Sequence, residues 1–309
     1  MAQNANPKNE LAGDQRLKVS NLLSKGKNMT TIALFGAAGK MGMRITRRLM
    51  ETNRYQTLYV ESGEAGIERL RSTGCKPSSL EMATPQADVV ILAVPDKLLG
   101  NVSQDVVPRL KPGAMVICLD PAAPWGGELA QRSDISYFVC HPCHPPVVND
   151  ETDPEARLDF FGAVKAKQHV VAALMQGPES DYARGEEVVR VIFSPVMNVY
   201  RVTVEQMAIL EPALSETVVL TCMVIMTEAI EEAVKQGVPP EAARQFVLGH
   251  MNVNIGILFR YIDAQLSDGA KMAVARARTR LFQSDWKDIF KRENVMAEVK
   301  AITQGITIK

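Results

Sequence analysis

His141, Glu211 and His250 are the side chains of this 309-residue sequence best suited to moving a proton or holding a cation. His141 lies in the stretch Cys140-x-x-Cys143-His144, directly after an apolar run. Three chemistries fit that stretch. The C-x-x-C-H pattern is a haem-attachment form, but it requires an oxidising compartment and no export signal is evident. Cys140, Cys143 and the two histidines could bind zinc, although closed zinc sites usually draw on two separated ligand pairs and no second C-x-x-C exists. Alternatively His141 is catalytic: a neutral imidazole at a strand end takes the proton of a substrate hydroxyl as hydride leaves. His144 is then a supporting group.

Glu211 precedes Pro212, and proline suits the first turn of a helix. A carboxylate at such a start could bind a metal or act as acid–base, or it could simply complement the helix dipole. At helical spacing Ser215 and Cys222 share its face, whereas Glu216 points elsewhere. His250 and Asn254 are four apart, so they share one helix face within an apolar stretch. That pair marks either a cleft or a buried pair satisfied by neighbours. Arg260, Lys271 and Arg276 are candidates to hold a substrate carboxylate, unless they belong to a solvated face.

A cofactor is indicated by residues 31–42. An apolar run leads into Gly36, Gly39 and Gly42, a helical pattern follows, and a second apolar run at 57–61 ends on Glu61. This is the layout of a dinucleotide-binding βαβ unit. Gly36 permits the tight turn, Gly39 lets the backbone approach a pyrophosphate, and Gly42 lets helix and strand pack closely. Ala38, Lys40 and Met41 complete the loop, and the helix N-terminus offers free N–H groups to the phosphates. Glu61 can accept hydrogen bonds from a ribose 2′-hydroxyl and would repel a 2′-phosphate, which favours NAD over NADP. Arg69 and Arg71 read as too far along to clamp a 2′-phosphate.

Those residues need a scaffold. Apolar runs at 88–94, 114–120, 136–140, 169–175 and 197–202 alternate with helical patterns at 97–110 and 180–193. The alternation predicts a doubly wound, mostly parallel sheet of Rossmann type, covered on both faces. Ligands of such sheets bind beyond the carboxyl ends of the strands. Val94, Pro95 and Asp96 then lie beside the nicotinamide ribose, and Asp120 either lies near the ring or caps the next turn. Near Val204 the strand signals end, and helical patterns follow at 213–236, 241–263 and 267–280. The expected organisation is a polar tail (1–28), an NAD-binding domain (29–203) and an all-α substrate domain (204–309). The segment 213–230 carries Glu216 and Glu228 and reads as a buried helix rather than a membrane span, and a homodimer built on it is expected.

Hydrophobic residues make up 46% and charged residues 23% of the chain, and net charge is zero, which argues against nucleic acid as the partner. Five scattered cysteines and no secretory signal point to free thiols and a cytoplasmic protein. A non-catalytic NAD sensor would have no need of His141, Glu211 and His250.

With these motifs assembled, the chain resembles the superfamily of 6-phosphogluconate, β-hydroxyacid and prephenate dehydrogenases. Residues 203–217 and 248–252 look closer to the D-apionate oxidoisomerase family. The lysine–asparagine pair of the first two enzyme groups is absent between Val204 and Thr221, and the His-Pro at 141–142 is similar to the catalytic histidine of the third. The glycine-containing turn expected after that histidine is replaced by Cys143-His144-Pro145-Pro146, which argues against prephenate. The resemblance implies NAD-dependent oxidation of a small sugar acid coupled to carbon migration, as in D-apionate to 3-oxo-isoapionate. Such a shift is aided by a divalent metal, magnesium or zinc, with His141 or Glu211 as ligands. A plain hydroxyacid dehydrogenase is the alternative.

Overall fold

A computed structural model describes residues 29–306. The segment 1–28, read above as a tail, lies outside them. The apolar runs form one eight-stranded sheet: β1 Thr31–Phe35, β2 Gln56–Val60, β3 Pro77–Ser78, β4 Val89–Leu92, β5 Met115–Cys118, β6 Ser136–Pro142, β7 Gln168–Gln176 and β8 Val196–Arg201. Their order is β3-β2-β1-β4-β5-β6-β7-β8. From β1 the chain builds outward first through β2 and β3, then on the other side through β4, β5 and β6. The switch between β1 and β4 is where doubly wound sheets open a ligand crevice.

All pairings are parallel except β6 with β7, which is antiparallel. A parallel neighbour requires a crossover of a dozen or more residues, usually with a helix. Residues 143–167 hold only the one-turn helix Pro154–Arg157, so β7 folds back beside β6. The two-residue β3 is too short to leave a periodic signal.

Strand alternation divides the core. Ile32 and Leu34 of β1, Val89 and Ile91 of β4, and Met115 and Ile117 of β5 face one way. Ala33 and Phe35, Val90 and Leu92, and Val116 and Cys118 face the other. Helices α1 Lys40–Glu51, α2 Glu64–Ser72, α3 Asp96–Val106 and α4 Ser180–Ile192 cover these faces. Ile45 and Leu49 of α1 join Val188, Val189 and Ile192 of α4 on the first face. Leu99 and Val106 of α3 pack on the second.

The helical region begins with α5, Val204–Lys235. Thr203 and Gln206 form a capping box, so this helix starts eight residues before Pro212. The expected start at 213 is therefore corrected: Pro212 lies inside the helix, where it cannot donate to an i−4 carbonyl. The chain responds with a π-helical stretch, Ile209–Leu220, before α-helical winding resumes over Thr221–Lys235. Helix α6 Pro240–Leu258 packs on α5, then come α7 Asp268–Leu281 and α8 Arg292–Gln304.

The expected burial of 213–230 is also corrected. α5 is long and apolar enough to cross a membrane by length and composition, yet only 11% of its most apolar window is buried within its own chain. Neither Thr221–Lys235 nor α7 buries a residue. Helix α8 does the opposite and returns to the sheet. Val295 and Val299 join Ala122, Ala208 and Ala213 in a small core that ties the end of β5 to the π-helical stretch.

Candidate active site

That small core sets the site, because Asp120 lies two residues before Ala122 and Glu211 two before Ala213. Asp120 Oδ1 accepts the Ala122 N–H at 2.7 Å, so it does cap its turn. Its other oxygen stands 3.9 Å from His141 Nδ1. The turn-capping reading of Asp120 holds, and its second oxygen is left facing His141. His141, one residue before the end of β6, donates Nδ1–H to the Leu119 carbonyl at 2.9 Å. That bond fixes the tautomer and leaves the Nε2 lone pair free. Nε2 lies 3.4 Å from Glu211 Oε2. Asp120, His141 and Glu211 each offer an atom within 4.8 Å of the others, and each side chain is only 17–24% exposed. Two carboxylate oxygens and one imidazole nitrogen form a donor set suited to a divalent cation.

More carboxylates surround this trio. Burial and the neighbouring Asp120 raise the Asp96 carboxyl to about 6. Burial raises Asp120 as well. Glu216 is raised by burial and by Glu211 and Asp96. By α-helical winding Glu216 would point away from Glu211. In a π-helix the ladder runs i→i+5, which brings residues five apart onto nearly one face. Thr217 Oγ1 donating to the Pro212 carbonyl at 2.7 Å spans the same five residues. The readable signal was the capping box at 203–206, which makes Pro212 internal.

Beside the trio lies a cleft of about 340 Å³. Gly39, Lys40 and Met41 line it from the glycine turn, and Val94, Pro95 and Asp96 from the end of β4. Asp120 and His141 also line it. The turn is built as glycine spacing requires. Gly36 has φ +70°, and a Cβ there would strike the Ala93 carbonyl; a Cβ on Gly42 would strike the Gly36 carbonyl. Glu61, just past β2, accepts the Ala38 and Ser62 N–H groups, each at 3.0 Å. Those bonds aim it at the glycine turn with acceptor capacity to spare for a ribose. Arg69 is closer than its spacing suggested, for its guanidinium donates to the Ala38 carbonyl at 2.7 Å. Helix α2 folds back along the turn and carries it there. Arg71 instead pairs with Glu68.

Other expectations fall outside this constellation. His250 is exposed on α6, donates Nδ1–H to the Phe246 carbonyl at 2.8 Å and stacks on the Phe246 ring. It is absent from the donor group among the described residues, because α6 packs on the far end of α5. Arg260, Lys271 and Arg276 are also exposed. Cys140 is fully buried in the sheet while Cys143 is exposed, and all five cysteines are free, so zinc through the C-x-x-C pair has no geometry here.

Comparison with known proteins resolves the kinship. Residues 149–303 match the C-terminal domain of decarboxylating phosphogluconate dehydrogenase. Residues 31–122 match the coenzyme F420-dependent NADP oxidoreductase family. The D-apionate oxidoisomerase of Rhizobium rhizogenes is 50% identical over 89% of this chain and 100% of its own. That of Cupriavidus necator is 48% identical over 88% and 99%. The chain belongs to the D-apionate oxidoisomerase family. A solved NAD-binding semialdehyde dehydrogenase protein of Cupriavidus necator, in complex with calcium and NAD, superposes with a TM-score of 0.87. It is 48% identical, covering 89% of this chain and 99% of its own. The family member described here is an NAD-dependent oxidoreductase built on a Rossmann-like sheet with a helical C-terminal region.

Proposed function

We propose that this enzyme oxidises D-apionate, or a closely similar branched sugar acid, and rearranges the product to a 3-oxo acid of the 3-oxo-isoapionate type. One observation carries the reading: Asp120, His141 and Glu211, from three separate parts of the chain, converge at the strand ends beside the dinucleotide cleft. The glycine turn at 36–42 holds the pyrophosphate, Glu61 the ribose of the adenosine half, and Val94, Pro95 and Asp96 the nicotinamide ribose. NAD supplies a hydride acceptor when bound. Asp120, His141 and Glu211 would hold a divalent cation, which would supply Lewis-acid stabilisation of the negative charge developing on the substrate oxygens.

The chain's own work is positional. Leu119 orients His141 through its carbonyl. The small core under Ala122 and Ala213 fixes how far Glu211 stands from Asp120. The substrate hydroxyl next to the carboxylate gives up its proton, and its carbon gives up hydride. The tertiary hydroxyl beside the new ketone then loses its proton, a carbon group shifts to the neighbouring carbon, and the former ketone oxygen takes a proton. A plain dehydrogenase would end at the first stage. Three convergent cation donors favour the longer sequence, and they serve no purpose in a mere NAD sensor. Chelation tests the reading: activity on D-apionate should vanish with a strong chelator and return with magnesium or calcium. Full activity in chelator would remove the cation.

We further place the protein in the cytoplasm as a homodimer, with 29–203 as the cofactor unit and 204–309 as the helical unit. Support for the dimer is the exposed apolar surface of α5 and α6, including Leu220, Met223, Val224, Phe246 and Leu248. Surfaces of this kind mark interaction sites. Light scattering should give twice the chain mass; a monomer that floats with lipid vesicles would assign the surface to a membrane.

A further inference from the structure

The second imidazole of the 140–144 stretch has no part in the donor trio, and its surroundings are built. His144 takes the left-handed conformation, φ 60°, followed by Pro145 and Pro146. Non-glycine residues held there are strained, and such strain gathers at functional sites. Its Nδ1–H donates to the Phe161 carbonyl at 2.9 Å, which leaves Nε2 as the free acceptor. Its ring meets the Phe161 ring edge-on at 5.9 Å and the His141 ring edge-on at 6.2 Å.

The segment carrying Phe161 is fastened from two sides. One oxygen of Asp159 accepts the N–H groups of Val164, Lys165 and Ala166 at 2.9–3.1 Å. Helix α1, which starts at the glycine turn, holds its outer side. Arg48 donates to the Ala163 carbonyl at 2.8 Å and to the Val164 carbonyl, and the Arg44 guanidinium lies 4.0 Å over the Phe161 ring. The cofactor helix thus fixes Phe161, and Phe161 fixes the tautomer of His144.

We propose that His144 is a substrate-contacting residue, whose Nε2 accepts a hydrogen bond from a hydroxyl of the bound polyhydroxy acid. The inference rests on the sugar-acid reading above. His141 has one free nitrogen, and the trio occupies it. The polyhydroxy acid presents more hydroxyls than that trio can engage, and His144 is the next imidazole beyond His141 at the carboxyl edge of the sheet. Arg44 and Arg48 are positioning residues that act through Phe161.

The test is His144→Asn. Asparagine tolerates the left-handed backbone, so the substitution removes the imidazole while keeping the turn. Wild-type and variant enzymes are compared for oxidation of D-apionate and of unbranched sugar acids, with NAD and cation binding by calorimetry and Tm on the same samples. The expected result is a fall in kcat/KM of about ten-fold or more, as for loss of a hydrogen bond of about 1.4 kcal/mol. KM should rise, while NAD affinity, cation affinity and Tm stay unchanged. Arg48→Ala should raise KM in the same direction. Wild-type kinetics in His144→Asn, or a loss of Tm or of cation affinity in step with activity, would overturn the proposal while leaving the sugar-acid reading intact. A wild-type enzyme that oxidises no sugar acid would overturn both.

Discussion

Asp96 carries the clearest pH signature of the site. Its carboxyl is raised to about 6 in the folded chain by burial and by Asp120, against about 3.9 in an unfolded one. Below the lower value both states hold the proton, and the group costs nothing. Stability is lost as pH rises between the two values and stays lost above them, because the folded state must then bury a charge. Asp96→Asn should therefore raise the Tm of the cofactor-free protein at pH 8 and leave it unchanged at pH 3.5; equal gains at both would contradict the assignment. Glu211→Gln removes one donor of the trio. It should lower kcat/KM by about a hundredfold or more and abolish cation binding in calorimetry while NAD affinity holds. At Glu61, removing the charge removes the repulsion of a 2′-phosphate, and Arg69 already stands at the glycine turn. Glu61→Ser should shift the NAD-to-NADP ratio of kcat/KM toward NADP by about ten-fold or more.

At the scale of elements, the glycine turn was legible because each glycine answers a local demand. Gly42→Ala drives a Cβ into the Gly36 carbonyl. It should cost about 1–3 kcal/mol of stability and weaken NAD binding, measured by denaturant titration and calorimetry. The strands were legible for a similar reason, since a strand buried on both faces reads as an unbroken apolar run. The reversal at β7 was not, because it depends on what the 143–167 connection lacks. The π-helical stretch is not legible from Pro212 alone. Pro212 suggested a helix start, and only the capping box at Thr203 and Gln206 shows that the helix was already under way. With α-helical winding from Pro212, Glu216 would lie outside the site. Arg69 and the small core beneath Ala122 rest on contacts between distant segments, which no local pattern encodes.

Across the whole molecule, two kinds of surface meet at α5. Its first half helps build the site, with Pro212 and Ala213 buried. Its second half leaves apolar side chains in the open. Val224→Glu, placed on that open part, should convert the expected dimer to monomer in light scattering without changing NAD affinity; an unchanged mass would locate the contact elsewhere. The position of His250 belongs to this scale too, since α6 packs on the far half of α5 rather than at the strand ends among the described residues. The central claim is that one site couples hydride removal to carbon migration. Its most direct measurement is a single reaction of enzyme, NAD, magnesium and D-apionate, followed by NADH absorbance and by carbon NMR of the product. NADH formed in step with a rearranged 3-oxo acid is the predicted result. NADH formed with the carbon skeleton of D-apionate intact, or no NADH at all, would contradict it.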